Sequence, residues 1–181
     1  MNRIISLLCP TRGRPDRVCI MIESVIKTTE KLENVEILFY IDSDDDKKDD
    51  YIVSISNLLN KYNNPFKRVL PHIGEPMSIS KSWNIIAEKC EGDILVMAND
   101  DEVWITKGWD RRLNEEADKF PDDIYCIYFD DGIMHEELCA FPMVSRKWYE
   151  TLGYFTPGIF KFLANDTWIE YIAIGIGRLH Y

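Results

Sequence analysis

The sequence predicts an α/β protein of one domain over residues 1–181, with a doubly wound, mostly parallel sheet flanked by helices. Three observations predict it. Short apolar runs alternate with amphipathic segments over the first 130 residues, the pattern of strand–helix–strand units. The run Ile94-Leu95-Val96-Met97-Ala98 is apolar throughout and reads as a buried strand. Three strand candidates end in carboxylates, at Asp42, Asp100-Asp101 and Asp130-Asp131, and open α/β sheets bind ligands at the carboxyl edge of their strands.

The first strand, Ile4 to Cys9, stops at Pro10, and Thr11 to Arg14 form a loop. Pro15 opens the helix that carries Val18, Met21 and Val25, because proline is favoured just inside a helix start. The second strand runs from Val35 to Ile41 and ends at Asp42, where Asp44-Asp45-Asp46 continues as a solvated loop. Tyr51 to Tyr62 is amphipathic, with Ile52, Ile55, Leu58 and Leu59 on one face. Arg68-Val69-Leu70 is a weaker strand. Gly74-Glu75-Pro76 is a turn, after which Ser78 caps a helix through Cys90. Beyond the Ile94–Ala98 strand come a helix over Trp109–Phe120 and a strand over Ile124–Phe129. The pattern then loosens to a strand over Cys139–Val144 that need not be parallel, a helix over Arg146–Leu152, and a helix over Asp166–Ile174 capped by Asn165.

Composition narrows the function classes. A net charge of −10 argues against a broad nucleic-acid surface, which needs clustered Lys and Arg. Five cysteines without a CxxC pair read as buried hydrophobes in a reducing compartment, hence a cytoplasmic protein. Met1 to Ile5 reads as the beginning of a strand rather than a signal peptide. Nothing approaches the roughly 20 apolar residues of a membrane span.

Parallel strands send their carboxyl ends to one edge, so the three acidic groups can share a cleft. Carboxylates of this kind suit a hard cation such as Mg²⁺ or Mn²⁺, commonly held by one or two of them plus substrate phosphates. Each group also has a plain structural reading. Asp42 fits a turn cap as well as a ligand contact, and Asp130-Asp131-Gly132 fits turn chemistry as well as acceptor binding. Glu102 is expected to be solvated. Trp104, Trp109 and Trp148 are expected in the core, and Trp168, two residues after Asp166, is the aromatic best placed to meet a ligand.

The stretch Ile5 to Arg14, with Pro10-Thr11-Arg12-Gly13-Arg14 after an apolar strand, resembles the opening of nucleotide-sugar glycosyltransferases with the GT-A fold, of the family 2 type. Tyr40-Ile41-Asp42 is similar to the strand whose aspartate faces the nucleobase. Ser80-Lys81-Ser82-Trp83-Asn84 resembles the basic-x-x-Asn helix, Gly92 to Asp101 the stretch ending in the DxD motif, and Asn165-Asp166 the later acidic pair. Asn99 stands at the first DxD position, and family members usually continue beyond the point where this sequence stops.

The resemblance implies a Rossmann-like half that binds the nucleotide sugar, about residues 1–102, and a smaller acceptor and catalytic half, about 103–181. It implies a nucleotide-diphosphate-sugar donor, a UDP-sugar favoured, and a hydroxyl acceptor that is a glycan, a lipid-linked molecule or another alcohol. Pro10, Thr11, Arg14, Asp42, Lys81, Asn84, Asn99 and Asp100 then bind the donor, and Asp101 and Asp100 hold Mn²⁺ or Mg²⁺. Asp166 is the base of an inverting reaction and Asp131 its rival. Two alternatives stand beside this reading: a catalytically idle domain that binds a sugar nucleotide or carbohydrate, and a nucleotidyltransferase.

Overall fold

Strands β1 (Ile5–Thr11), β2 (Val35–Asp42), β3 (Arg68–Gly74), β4 (Ile94–Met97), β5 (Cys126–Ile127), β6 (Met143–Ser145) and β7 (Leu179–His180) form one sheet in a computed structural model describing residues 3–181. Their order is β3-β2-β1-β4-β6-β5-β7. Helices α1 (Pro15–Thr28), α2 (Lys48–Lys61), α3 (Ile79–Lys89), α4 (Trp109–Ala117), α5 (Arg146–Leu152) and α6 (Asn165–Gly175) cover it. β6 is antiparallel to both β4 and β5, so β5 and its parallel neighbour β7 point the same way as β1 to β4. The expected mostly parallel α/β domain is what forms.

Period-two alternation along each strand divides the core into two layers. Leu7, Ile37, Phe39 and Val96 pack against Val18, Met21 and Val25 of α1, Tyr51 and Ile55 of α2, and Leu113 of α4. Leu8, Leu38, Tyr40 and Leu95 face the other way, onto Trp83 and Ile86 of α3, Trp148 of α5 and Ile169 of α6. Each such side chain contributes roughly 1.5–3 kcal/mol when fully buried. Trp109 and Trp148 are core residues as expected, Trp83 joins them, and the partly buried Trp104 packs on Trp109 with its ring tilted, 4.2 Å between centroids.

Several boundaries differ from the sequence expectation. β1 does not stop at Pro10. The Leu8 carbonyl accepts from Ala98 N–H, so the backbone groups of residues 8 and 10 both face β4, which has already ended beside Pro10. A missing N–H there costs no ladder bond. The strands expected over Ile124–Phe129 and Cys139–Val144 shrink to Cys126–Ile127 and shift to Met143–Ser145, because pairing between them is only two residues long. α4 ends at Ala117 rather than Phe120, and α2 starts at Lys48 rather than Tyr51. Asn165 is the first residue of α6, and its cap is Ala164 in the left-handed region at φ 72°. Met1 and Asn2, the beginning of the expected first strand, lie outside the described residues. Among the described residues no helix is long and apolar enough to cross a membrane.

Candidate functional site

The parallel strands deliver their acidic ends to one edge. Asp42 closes β2, Asp100 and Asp101 follow β4, and Asp130 and Asp131 follow β5. α6 runs back toward β7, which starts at the opposite edge, so Asp166 in the first turn of α6 also belongs to the carboxyl edge.

At the centre of that edge, Thr11 ends β1 and Asp100 lies just beyond the neighbouring β4. The β1–β4 register, with Leu8 opposite Met97, continues three residues to bring them together. Thr11 Oγ1 donates to Asp100 Oδ2 at 2.6 Å and lies 3.0 Å from the hydroxyl of Tyr51. With its only proton on Asp100, Thr11 receives the tyrosine proton, and Tyr51 in turn accepts from the backbone N–H of Arg14 at 2.7 Å. The Arg14 guanidinium lies 2.9 Å from Asp100 Oδ1 and 3.8 Å from Asp101 Oδ2. Asp100 is buried, while Asp101 is largely exposed. Burial raises the Asp100 pKa above the ordinary carboxylate value, against the opposing pull of Thr11 and Arg14.

Glu102 corrects the expectation of a solvated side chain. It turns inward and accepts the Asn99 N–H at 2.6 Å, so the knot closes on itself. Burial, with Asp101 and Asp100 nearby, pushes its pKa well up. The Cys9 thiol is pushed up as well, by burial and then by Asp100 and Glu102. Asp45 is the other surprise in the acidic stretches. It is buried and accepts Gly13 N–H at 2.6 Å and Lys47 N–H at 2.9 Å, lacing the loop after β1 to the loop after β2. Gly13 reaches this bond at φ 72°, a conformation that favours glycine. Arg12 pairs with Asp42 at 2.7 Å and with Asp44, which raises the arginine pKa and lowers that of Asp44.

The remaining candidates divide. Lys81 is exposed on the first turn of α3, and Asn99 is partly exposed beside Asp100. The Asn84 side chain is spent on the protein: Oδ1 accepts Phe155 and Thr156 N–H at 2.8 and 2.9 Å, and Nδ2 donates to Thr156 O at 2.7 Å. It braces the loop that leads to α6. Asn84→Ala should therefore cost about 2 kcal/mol in urea unfolding, with faster hydrogen exchange at residues 155 and 156. Unchanged exchange there would refute the bracing role.

Asp131 Oδ1 accepts three backbone N–H groups, from Ile133, Met134 and His135. Burial would raise its pKa, but these three bonds outweigh that effect and lower it. Asp166 Oδ1 accepts the Thr167 N–H at 2.8 Å. Trp168 is partly exposed and meets Phe160 edge to face. His180 Nε2 lies 2.5 Å from Glu116 Oε2.

Among the described residues, no three His, Cys, Asp or Glu side chains are gathered into a closed metal centre. The pair at the end of β4 fits an open one. Asp100 Oδ1 is buried without a directed hydrogen bond, and the neighbouring Asp101 carboxylate reaches solvent. Two such oxygens plus substrate phosphates make a usual magnesium-type site.

A mostly parallel sheet with this acidic carboxyl edge is the nucleotide-binding α/β architecture of GT-A proteins. Residues 6–170 match the profile described as glycosyl transferase family 2. The chain belongs to that family. A mannosyltransferase from Pyrobaculum calidifontis, solved with GDP-mannose and Mn²⁺, superposes with a TM-score of 0.75 at 13% identity, over 99% of this chain and 54% of that one. TarS 1–349 from S. aureus superposes with a TM-score of 0.65 at 14% identity, over 90% and 52%. TarS has also been solved with UDP, where the TM-score is 0.51 at 19% identity, over 69% and 35%. At these identities the likeness is one of fold, and the chain spans about half the length of the first two structures. No curated protein matches the chain.

Proposed function

We propose that this domain transfers a sugar from a nucleotide-diphosphate donor to a hydroxyl acceptor. The observation that carries the reading is the linked set Thr11, Arg14, Asp100 and Asp101 at the carboxyl edge of a family 2 sheet. Thr11 and Asp42 line the nucleoside side, Arg14 stands between that side and the phosphates, and Pro10, Lys81 and Asn99 lie around the phosphates. The structures of similar fold that hold GDP-mannose or UDP support a nucleotide donor, with a UDP-sugar as the first candidate. Mn²⁺ beside GDP-mannose in the first of them supports a divalent cation at Asp101 and Asp100. Such a cation would neutralise charge developing on the departing diphosphate.

Asp166 is the base in this reading. It takes the proton of the acceptor hydroxyl while that oxygen attacks the anomeric carbon from the face opposite the diphosphate. The diphosphate leaves with the electron pair of the broken C–O bond, which inverts the centre. Asp131 is the weaker candidate because three backbone N–H groups already draw on its charge. The division near residue 102 into donor and acceptor halves follows the same logic. A cytoplasmic setting fits five cysteines that are all free thiols.

Calorimetry with UDP- and GDP-sugars in the presence of Mn²⁺ tests the proposal. We expect one donor to bind in the micromolar to millimolar range usual for enzyme substrates, roughly 1 μM to 1 mM. A folded protein that binds no donor would sink it. Asn99 at the first DxD position favours one second reading, a sugar-nucleotide-binding domain without turnover. That reading predicts the same binding but no release of nucleoside diphosphate.

A further inference from the structure

Arg14 stands against the carboxylates that follow β4. Its guanidinium contacts both carboxylates that would hold the cation, at 2.9 Å from Asp100 Oδ1 and 3.8 Å from Asp101 Oδ2. The two carboxylates carry two negative charges, and Arg14 offsets one of them. A divalent cation taken by the same oxygens meets a like charge already in place, so the two must compete. The Arg14–Asp100 contact is an ion pair without hydrogen-bond geometry, since Asp100 Oδ1 has no directed donor. Asp100 itself is held independently of Arg14 through Oδ2, by the Thr11 hydroxyl and Tyr51 behind it.

The backbone of Arg14 is fixed and its side chain is not. Its N–H is held by the Tyr51 hydroxyl, and its carbonyl accepts Arg17 and Val18 N–H at the start of α1. The side chain is 52% exposed, so it can swing away while its Cα stays put. A guanidinium fork pairs with phosphate as readily as with carboxylate.

We propose that Arg14 is an exchangeable counter-ion, which neutralises Asp100 and Asp101 in the ligand-free protein and yields them to a divalent cation as its own charge moves onto an arriving diphosphate. The proposal rests on the donor-binding reading for its second half and on the observed ion pairs for its first. It makes cation and nucleotide binding mutually supportive: the cation alone meets resistance that the diphosphate removes.

The test is Arg14→Met, which keeps the aliphatic stem and removes the charge. Mn²⁺ affinity without nucleotide is read from the electron paramagnetic resonance signal of free manganese, and UDP and GDP affinity at saturating Mn²⁺ by calorimetry. The two affinities should move in opposite directions. Manganese alone binds the variant roughly tenfold tighter and the nucleotide binds roughly tenfold weaker, the usual scale of coupling between sites. Arg14→Lys, which restores a positive charge, should bring manganese affinity back toward that of the unaltered protein. Manganese affinity that is unchanged, reduced or undetectable in a folded Arg14→Met overturns the proposal. If manganese binding tightens as expected but neither nucleotide binds the unaltered protein, the counter-ion role stands and the donor reading fails.

Discussion

Asp166→Asn is expected to lower turnover by about 10²–10⁴-fold, the range for removing a positioned general base, while leaving donor affinity within about threefold. Turnover is read as release of nucleoside diphosphate from whichever UDP- or GDP-sugar binds. Asparagine keeps an Oδ1 able to accept the Thr167 N–H, so the first turn of α6 retains that bond and the loss reports on chemistry. Asp131→Asn is the matched control. Its amide oxygen can still accept the N–H groups of Ile133, Met134 and His135, so the turn survives and turnover should stay within about threefold. The reverse ranking would make Asp131 the base, and two silent substitutions would remove both from the mechanism. An unaltered protein that binds donor without turnover would instead favour the idle binding domain.

What the sequence made legible was local. The apolar run of β4, the proline at the start of α1 and the carboxylates that close β2 and β4 are read from neighbours a few residues away. The parallel sheet then carries those carboxylates to one edge without further information. Most of what it concealed depends on contacts across about 30 to 70 positions, Glu102 being the exception with its bond to Asn99 three residues away. Tyr51 looks like one more apolar residue of an amphipathic helix, yet its hydroxyl joins Thr11 to Arg14. Only a tyrosine at a core position in the first turn of the helix after a strand could have hinted at a polar task. Asp45 and Glu102 were hidden within runs of charge, where composition favours solvation and only the closing of the loops turns them inward. Asn84 was visible as a motif residue, but its commitment to residues 155 and 156 depends on α3 meeting a loop about 70 positions later. The short β5 and β6 escaped for another reason: with two paired residues, hydrophobic pattern fixes their existence better than their ends.

Arg68→Met is expected to destabilise the protein strongly, because it abandons a buried charge at the opposite end of the sheet. The register places Ser6, Glu36 and Arg68 side by side on β1, β2 and β3. Glu36 is fully buried. Its Oε2 takes the Nε and Nη2 of Arg68 at 3.0 and 2.7 Å, and its Oε1 takes the Ser6 hydroxyl and the N–H groups of Glu91 and Gly92. Those two N–H groups lie in the connection from α3 to β4, so one carboxylate fastens the strand that presents Asp100 and Asp101. Gly92 lies so close to β1 that an added Cβ would be 2.1 Å from Ser6 Oγ, so only glycine lets the connection reach these acceptors. Removing one partner of a buried pair costs about 3–5 kcal/mol, reduced here to about 2–4 because Arg68 is partly exposed. Replacing both charges with apolar residues often restores stability, but not in this setting. In Glu36→Met with Arg68→Met, the Gly92 N–H keeps Ser6 Oγ at 2.9 Å, but the Glu91 N–H and the Ser6 hydroxyl lose their acceptor, so the double variant should stay about 2 kcal/mol below the unaltered protein. Urea unfolding of the two single variants and the double variant decides it. Full recovery in the double variant would mean that the pair serves only itself and does not fasten the connection into β4.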